Sequence, residues 1–559
     1  MMKKQNIFSV LVGGAAGDGA REAAANLSRL LTNVGFEVIQ TVEYPSLIRG
    51  GHNFARVTFS DDKIHSDYEA LDILVALNKE TVDLHFKELK KDGLVIFDCE
   101  KQDKKIINLP LCAYAKEMGA PPILRTAAAL GAICWILNLD LEELNKIFKT
   151  VFKDKAEANI KLSVKGYENF KNRKITQIKL PKPKKIIRKL VDGNEAFAEG
   201  LIKAGLENYF AYPMTPSSSI LHFLAGKAHE YKIKVAQPEN EIAVINMALG
   251  SAYAGKRTAT ASTGGGFALM LEAMAMAGME ELPIVVADSQ RAGTSTGVAT
   301  RTGQGDLAFV RNLPGEFPQI VLAPGDQEEA YLLGGLSLNL AWQFQTPVVV
   351  LLDKLLSENM SACQLDDKKI KIISSKPSKA GKKYQRYEFT DDGISPLAFP
   401  GDKDAVVKVC SYEHDEKGYI TDSSEITKAM CEKRFAKIKG IVKELAKHEM
   451  IKVYGDTKSK NTLVFFGSTK GAILEALKYI KKPVRAVQIL CLEPLDTAQL
   501  KKILKESNRI IDIENNYTGQ LANLIREKTG IEVCKKILRY DSFPFEPLSL
   551  ADTINKILK

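Results

Sequence analysis

Short apolar segments alternate with longer amphipathic ones along most of the chain of 559 residues. Val, Ile, Leu and Phe dominate the apolar segments, and glycine, proline or polar residues follow them, which is typical of buried strands. The segments are 6–12, 55–59, 73–76, 94–97, 209–212, 257–262, 282–287, 319–323, 347–353, 462–466, 485–489 and 509–513. Helical patterns separate them, so the sequence predicts an α/β fold.

Two breaks in this alternation divide the chain into domains. Residues 179–189 are rich in lysine and proline, which is the composition of a linker. The stretch 358–453 is rich in Lys and Asp and ends in a long predicted helix at 423–448. We therefore expect a first domain at 1–178, a linker at 179–191, a second domain at 192–365, an extended arm with a long helix at 366–455, and a last α/β domain at 456–559.

The most distinctive stretch, residues 237–266, combines an acidic helix start, a strand and a glycine-rich turn. Glu239 and Glu241 follow Pro238, where a helix can begin, and the small residues after them permit close helix packing. A β-prone segment then ends in Thr263-Gly-Gly-Gly266, a turn that lets a backbone approach a ligand. Taken alone, an acid at a helix start is better explained by the helix dipole than by catalysis.

A rigid turn in the second domain is a candidate site for an anion. Tyr212 ends a short predicted strand, and Thr215 stands between Pro213 and Pro216, which fix the backbone around its hydroxyl. The serines at 217–219 are predicted to cap the next helix, and exposed N–H groups at a helix start suit a carboxylate or phosphate.

The long polar loop at 288–306 carries two arginines, Arg291 and Arg301. A loop of this length between strands of one sheet is usually functional or mobile. The guanidinium fork suits a substrate carboxylate, but either arginine can equally form a structural ion pair. The sequence does not rank the two.

The N-terminal domain contains two further candidates. A glycine turn at 13–19 lies between a strand and an alanine-rich helix, as in nucleotide-binding openings, although a tight turn alone explains these glycines equally well. Farther on, Arg49, His52 and Asn53 form a polar cluster in the stretch EYPSLIRGGHN. We interpret this cluster either as an ordinary surface loop or as a binding or docking loop.

Composition argues against several classes of protein. The net charge of +10 lies mainly on lysine runs without aromatic interleaving, which favours a solvated surface over a nucleic-acid site. None of the eight cysteines forms a C-x-x-C pair, so we expect no disulfide framework and no iron–sulfur or metal site built by this chain. No apolar run can span a bilayer and no signal peptide is recognised, so we expect no membrane contact and a cytoplasmic protein.

These motifs together resemble the α subunit of a 2-oxoacid:ferredoxin oxidoreductase with the γ domain fused at its N-terminus. In the family's order, the chain carries EYPSLIRGGHN, YPMTPSS, ENEIAVINMALGSAYAG, SQRAGTSTGVATRTGQGDL, EFPQIVLAPGD and TPVVVLLDKLLSE. The resemblance implies a multidomain α/β protein with a γ-like domain, a thiamine diphosphate pyrimidine-type domain and a C-terminal domain similar to that of transketolase. The chain departs from the family by Met214 in place of Ile, by Ala292-Gly-Thr-Ser-Thr-Gly297 in place of Gly-Gly-Pro-Ser-Thr-Gly, and by Gly303 in place of Glu.

The resemblance implies a thiamine diphosphate enzyme that converts a 2-oxoacid and coenzyme A to acyl-CoA and CO2, with electrons passing to ferredoxin. A β subunit would hold the diphosphate, Mg²⁺ and a [4Fe–4S] cluster, in an (αβ)2 hetero-oligomer. Glu241 matches the family's glutamate, which hydrogen-bonds the pyrimidine ring of the cofactor. For this chemistry, Thr215 and Tyr212 with Arg291 or Arg301 are candidates to bind the substrate. Arg49, His52 and Asn53 are candidates to contact coenzyme A or to form an interface.

The resemblance leaves the substrate open. The fused γ–α layout favours 2-oxoglutarate, and pyruvate, branched-chain and aryl 2-oxoacids are the alternatives. A different class of function, a non-catalytic assembly or nucleotide-binding subunit, is the second alternative, and the N-terminal glycine turn is the main feature that favours it.

Overall fold

The computed structural model describes residues 6–45, 51–99, 105–184, 186–378 and 384–559. The chain forms two compact units. Unit 1 comprises Met1–Val191, Glu358–Gln364 and Glu546–Ser549, and unit 2 comprises Asp192–Ser357, Leu365–Phe545 and Leu550–Lys559. Sheets flanked by helices build both units, so the predicted α/β fold class is confirmed.

Every segment predicted from an apolar run overlaps a strand of the described residues, and shorter strands are found besides. In chain order they are β1 Ile7–Ala15, β2 Glu37–Glu43, β3 His52–Ser60, β4 Leu71–Ala76, β5 Leu89–Phe97, β6 Ile106–Asn108, β7 Lys189–Asp192, β8 Asn208–Phe210, β9 Lys234–Ala236, β10 Thr258–Ser262, β11 Val285–Gln290, β12 Ile320–Leu322, β13 Val348–Asp353, β14 Met360–Cys363, β15 Ile451–Gly455, β16 Asn461–Phe465, β17 Arg485–Ile489, β18 Cys491–Glu493, β19 Arg509–Glu514 and β20 Lys535–Leu538.

The α-helices of the described residues lie between these strands. They are α1 Ala20–Val34, α2 Lys79–His85, α3 Leu111–Glu117, α4 Arg125–Ile136, α5 Leu141–Phe152, α6 Ala156–Asn172, α7 Gly193–Lys203, α8 Ser218–Tyr231, α9 Glu241–Tyr253, α10 Gly264–Ala268, α11 Leu271–Met279, α12 Leu307–Arg311, α13 Gln327–Phe344, α14 Lys354–Glu358, α15 Ser424–Leu445, α16 Thr469–Ala476, α17 Thr497–Lys505, α18 Gln520–Thr529 and α19 Pro547–Ile557.

Unit 1 is built on an eight-stranded mixed sheet with the order β6-β5-β4-β1-β3-β2-β14-β7. Strands β1, β4, β5 and β6 are parallel neighbours, whereas β3 runs antiparallel to both β1 and β2. Glycines let α4 and α6 pack unusually closely, because a Cβ at Gly131 would lie 1.9 Å from the Ser163 carbonyl oxygen and one at Gly166 would lie 1.8 Å from that of Ala128.

Strand β14 is a return of the chain to the sheet of unit 1. Met360 and Ser361 pair antiparallel with Gln40 and Ile39 of β2. The predicted second domain ran to residue 365, whereas the structure puts Glu358–Gln364 into unit 1. A strand of four residues has no readable periodicity, which is why the sequence did not reveal this pairing.

Unit 2 contains two sheets that share one hydrophobic core. The seven-stranded sheet has the order β18-β12-β13-β11-β10-β8-β9 and is parallel except at β18, and the five-stranded sheet has the order β15-β17-β16-β19-β20. Buried residues of both sheets, such as Val286, Leu351, Val487 and Ile489, belong to one cluster. The C-terminal part of the chain is therefore packed directly on the central part.

A buried ion-pair cluster attaches the long helix α15 to the central part of unit 2. Lys433 Nζ donates to the carboxylate of Glu281 at 2.8 and 3.0 Å, and Lys437 Nζ lies 2.5 Å from it. Arg386 donates to the carbonyl oxygens of Glu280 and Glu281. Burial opposes ionisation of Glu281, but the two lysines outweigh it and hold the pKa of this carboxyl well below its usual range.

Candidate active site

Glu241 is the first residue of α9, and it is buried although it is ionisable. The side chain of Asn240 caps the helix by accepting a hydrogen bond from the Ala243 N–H at 3.0 Å, so Glu241 is not needed as a cap. Glu241 is 4% exposed and its Oε1 has no hydrogen-bond partner among the described residues, whereas Glu239 is exposed. A buried carboxylate with a free oxygen is costly unless a ligand satisfies it.

The glycine-rich stretch after β10 packs directly against this carboxylate. The sequence predicted a turn there, but the structure begins the short helix α10 at Gly264. A Cβ at Gly266 would lie 2.7 Å from Glu241 Oε1 and 2.0 Å from Ser262 Oγ, so only glycine fits. Bare backbone and a free carboxylate oxygen therefore lie side by side, which suits a flat nitrogen heterocycle that donates or shares a proton.

The turn around Thr215 is held by hydrogen bonds from neighbouring elements. Asn194 donates to the carbonyl oxygen of Pro216 at 2.8 Å, and Arg291 Nη1 donates to that of Thr215 at 2.8 Å. The Ser217 hydroxyl donates to the Met214 carbonyl oxygen, and no side-chain cap of α8 is found in the described chain, so the predicted serine cap is wrong. The Ser217 hydroxyl therefore stabilises the turn before α8 and does not cap the helix.

Arg291 lies beside two carboxyls, the buried Asp288 and the half-buried Asp306. Strand β11 extends to Gln290, so the predicted loop begins three residues later than expected, and Asp288 is buried at the end of the strand. Burial, with repulsion from Asp306, raises the pKa of Asp288 well above its usual range. Burial likewise raises the pKa of Asp306 to about 6, although Asp288 and Arg291 act to lower it. The two carboxyls therefore share a proton near neutral pH.

The environment of Arg301 differs from that of Arg291. Its guanidinium lies 4.3 Å from the centre of the Phe543 ring, in a cation–π contact with the C-terminal part of the chain. Its backbone closes the exposed loop, because the Arg301 N–H donates to Val298 and the Ala292 N–H donates to Arg301. Among the described residues, a hydrogen bond joins Arg291 to the Thr215 turn, whereas the guanidinium of Arg301 contacts Phe543.

Gln304 joins the polar loop to the C-terminal part of the chain. Its Nε2 donates to Asp353 Oδ2 and to the carbonyl oxygen of Phe466, and its Oε1 accepts the Asn515 N–H at 3.0 Å. The Gln520 side chain adds a bond to the next residue of the loop, from Nε2 to the Gly305 carbonyl oxygen at 2.7 Å. The C-terminal segment 514–520 therefore binds this chain's own polar loop.

The other residues predicted for the site are Tyr212, Arg49, His52 and Asn53. Tyr212 is 37% exposed at the surface of the Thr215 turn, and its role stays a prediction. Arg49 lies outside the described residues. His52 and Asn53 begin β3, next to the glycine turn that follows β1.

The glycine turn of unit 1 contains its own anion. Asp18 Oδ2 accepts the Ala15 N–H at 2.9 Å, and Arg125 Nη2 donates to Asp18 Oδ1 at 2.9 Å. A carboxylate therefore occupies the position where a nucleotide-binding turn offers its N–H groups to phosphate. This geometry favours the tight-turn interpretation of the glycines.

Two general properties of the described residues bear on the site. No helix in the described ranges is both long and apolar enough to cross a bilayer. No group of three or more His, Cys, Asp and Glu side chains in those ranges is arranged to hold a metal ion.

Two protein-family models match the chain. One, described as pyruvate flavodoxin/ferredoxin oxidoreductase, thiamine diP-binding, matches residues 199–433, which include Thr215, Glu241 and Arg291. The other, described as pyruvate ferredoxin/flavodoxin oxidoreductase, matches residues 9–169.

Similar proteins extend this match over the full length. The 2-oxoacid:ferredoxin oxidoreductase subunit alpha of a Sulfolobus species is 32% identical, over 99% of this chain and 97% of the relative. The 2-oxoglutarate synthase subunit KorA of Methanocaldococcus jannaschii is 30% identical over 62% of this chain and 92% of the relative. A 2-oxoglutarate:ferredoxin oxidoreductase from Magnetococcus marinus, solved with 2-oxoglutarate, coenzyme A and succinyl-CoA bound, has a TM-score of 0.92 at 28% identity and covers all of both chains. The resemblance inferred from the motifs is confirmed, and the chain belongs to the 2-oxoacid:ferredoxin oxidoreductase family.

Proposed function

We propose that this chain is the α subunit, with a fused γ domain, of an enzyme that converts a 2-oxoacid and coenzyme A to acyl-CoA and CO2 and passes the electrons to ferredoxin. The observation that carries the proposal is the buried Glu241 with its unpartnered oxygen beside Gly266, inside the stretch that matches a thiamine diphosphate-binding family. The Glu241 carboxylate is not needed to cap helix α9, because the side chain of Asn240 already does so.

The residues present fit the pyrimidine half of thiamine diphosphate. Glu241 would hold a ring nitrogen through its free oxygen, and Gly266 leaves room for the ring to approach. When bound, the cofactor supplies an acidic carbon that adds to a ketone and then stabilises negative charge. The role of Glu241 is to hold and exchange a proton at its carboxylate, in a position shielded from water.

Arg291 is the proposed binding group for the carboxylate of the 2-oxoacid. Its Nη1 is fixed by the Thr215 carbonyl at 2.8 Å, and its other guanidinium nitrogens keep donor capacity. Asp288 and Asp306 help to keep it charged, because both act to raise its pKa against the lowering effect of burial. The Thr215 hydroxyl and Tyr212 are proposed as additional polar contacts to the substrate.

We propose 2-oxoglutarate as the substrate. Support comes from the Magnetococcus marinus relative, which was solved with 2-oxoglutarate and succinyl-CoA bound and aligns with all of this chain. We further propose that a β subunit completes an (αβ)2 enzyme and supplies the diphosphate site, Mg²⁺ and a [4Fe–4S] cluster. Arg49, His52 and Asn53 are the proposed contacts to coenzyme A.

The test is reconstitution. The chain is co-expressed with β subunits encoded in the same genome, and the purified complex is assayed for reduction of a low-potential dye that depends on both a 2-oxoacid and coenzyme A. We expect the largest kcat/KM with 2-oxoglutarate in a panel that includes pyruvate, branched-chain and aryl acids. Preference for another acid would overturn the substrate assignment. Stable complexes without activity on any acid would support the assembly-subunit alternative.

A further inference from the structure

A cavity of about 570 Å³ lies in unit 2 between α13, the segment 369–373 and the end of α15. The turn into β15 and Leu490 complete its lining. None of the residues assigned to the candidate active site is among the described residues that line it. Small-molecule sites in proteins commonly measure about 300–1,000 Å³, so this cavity has the size of a separate ligand site.

The floor of the cavity is apolar. Leu332, Leu333 and Leu336 line it from one face of α13, and Leu333 and Leu336 are buried. The other apolar residues of the lining are Ile370, Ile373, Met450 and Leu490. An alkyl chain that covers this floor removes apolar surface from water on both sides of the contact, which favours binding.

One wall of the cavity is fixed before any ligand binds. Asn339 of α13 accepts a hydrogen bond from the Ile373 N–H at 3.0 Å and donates to the Lys371 carbonyl oxygen at 2.7 Å. Arg257 also donates to the Asn339 side chain, at 2.9 Å. The segment 369–373 is therefore held against α13, and little ordering is required when a ligand enters.

The two buried glutamates of the lining already have cationic partners. Glu329 Oε1 accepts hydrogen bonds from Lys452 Nζ at 2.8 Å and from Lys470 Nζ at 2.6 Å. Lys447 Nζ donates to Glu444 Oε2 at 2.5 Å. Both carboxylates are thus neutralised within the protein, so they do not favour a cationic ligand.

The lining as a whole has a surplus of one positive charge. Its charged residues are four lysines and three glutamates, namely Lys369, Lys371, Lys447, Lys452, Glu329, Glu444 and Glu449. His448 adds no charge at neutral pH, because burial lowers the pKa of its imidazole. Lys369 and Lys371 are exposed, and no ion pair of either is found among the described residues. One anionic group would balance the surplus.

We propose that this cavity binds one long-chain carboxylate, with its alkyl chain on the leucines of α13 and its carboxylate at Lys369 and Lys371. The backbone of Ile370, between the two lysines, is extended. Side chains two residues apart on an extended segment point the same way, so both ammonium groups can reach one carboxylate. The site is independent of the reaction proposed above.

Titration calorimetry on the full chain tests the site, with dodecanoate as the ligand and dodecylammonium as the ligand of opposite charge. We expect one saturable site per chain for dodecanoate and at least about tenfold weaker binding of dodecylammonium. Equal affinity for the two, or no saturable site, would overturn the proposal. Binding to phosphatidylglycerol vesicles but not to free dodecanoate would also overturn it, because the partner would then be a lipid surface.

Substitutions locate the binding. Leu332→Glu puts a carboxylate into the floor at a half-buried position and should weaken dodecanoate binding by at least about 30-fold. Ile372→Glu is the matched control, because Ile372 is 59% exposed and does not line the cavity. It should bind like wild type. Unchanged affinity of a folded Leu332→Glu variant would contradict the proposal.

A second variant removes charge without disturbing the floor. Lys369→Gln combined with Lys371→Gln should weaken dodecanoate binding by about tenfold, whereas Lys368→Gln, at an exposed position outside the lining, should have no effect. Equal affinities of the two variants would refute the assignment of the carboxylate.

Hydrogen exchange of the full chain gives an independent location. Dodecanoate should slow amide exchange within 369–373 and 447–450, which form walls of the cavity, and leave 264–268 unchanged. Protection that is absent from both wall segments would contradict the site. Because neither turnover nor a second subunit is involved, these results do not depend on the proposed reaction.

Discussion

Arg291 and Thr215 are joined by a hydrogen bond of 2.8 Å, from guanidinium Nη1 to the main-chain carbonyl oxygen of the threonine. The bond crosses 76 residues of sequence and links the end of β11 to the turn before α8. Arg301 instead contacts Phe543. The described contacts of the two arginines, which the sequence left equal, therefore differ, and the first prediction follows from this difference.

Arg291→Lys should raise KM for the 2-oxoacid, because a lysine can satisfy the Thr215 carbonyl or the substrate but not both in a fixed fork. Loss of the second bond should cost about 2 kcal/mol, or roughly 30-fold in KM. Steady-state kinetics of the complex measure this, with Arg301→Lys as the matched control. A larger effect of the Arg301 variant would contradict the assignment of the substrate carboxylate to Arg291.

Asp288→Asn should make unit 2 more stable at neutral pH. The pKa of Asp288 in the folded state lies well above 3.8, and that of Asp306 is about 6. The folded state therefore binds more protons than the unfolded state above pH 3.8. Because of this, the free energy of unfolding falls as the pH rises and the two carboxyls ionise. Asparagine imitates the protonated acid and can donate to Asp306. The free energy of unfolding of the variant should therefore exceed that of wild type by on the order of 2 kcal/mol at pH 8, and the difference should vanish near pH 4.

Urea unfolding of the full chain at several pH values measures this gain. Asp422→Asn, at an exposed position of the same unit, is the control and should be neutral at every pH. An Asp288→Asn variant that is less stable than wild type at pH 8 would refute the shared-proton description. The same variant should bind the 2-oxoacid more weakly, because Asp288 helps to keep Arg291 charged.

Gln304→Met should destabilise unit 2 and loosen the polar loop. Methionine has a similar size but leaves the buried Asn515 N–H without its acceptor and removes the bonds to Asp353 and Phe466. We expect a loss of about 3 kcal/mol in the free energy of unfolding, and faster proteolysis within 292–303. Gln499→Met, at an exposed position, is the matched control and should have little effect on either measurement. Equal stability of the two variants would contradict the role of Gln304.

The features that the sequence predicted depend on local signals. Apolar runs located the main strands, and Pro238 followed by acidic and small residues predicted a helix start close to the observed start of α9 at Glu241. The long helix predicted at 423–448 is α15. In each case the location of the element depends on residues that are close together in the sequence, so the local pattern predicts it.

The features that the sequence did not predict depend on distant contacts. Asp288 and Asp306 affect each other only because the loop between them folds back, and Gln304 meets Asn515 from 211 residues away. The imidazole rings of His52, at the start of β3, and His85, at the end of α2, likewise meet through their Nε2 atoms at 2.8 Å. No periodicity or spacing marks such pairs, since tertiary packing alone brings them together.

The central claim is that Glu241 activates thiamine diphosphate, and the most direct measurement is the turnover of Glu241→Gln in the assembled complex. Glutamine keeps the shape and the hydrogen-bonding oxygen but cannot hold and exchange the proton. We expect kcat to fall by at least about 100-fold while the complex still assembles, and Glu239→Gln, at an exposed position two residues away, to retain wild-type activity. A fully active Glu241→Gln complex would contradict the account.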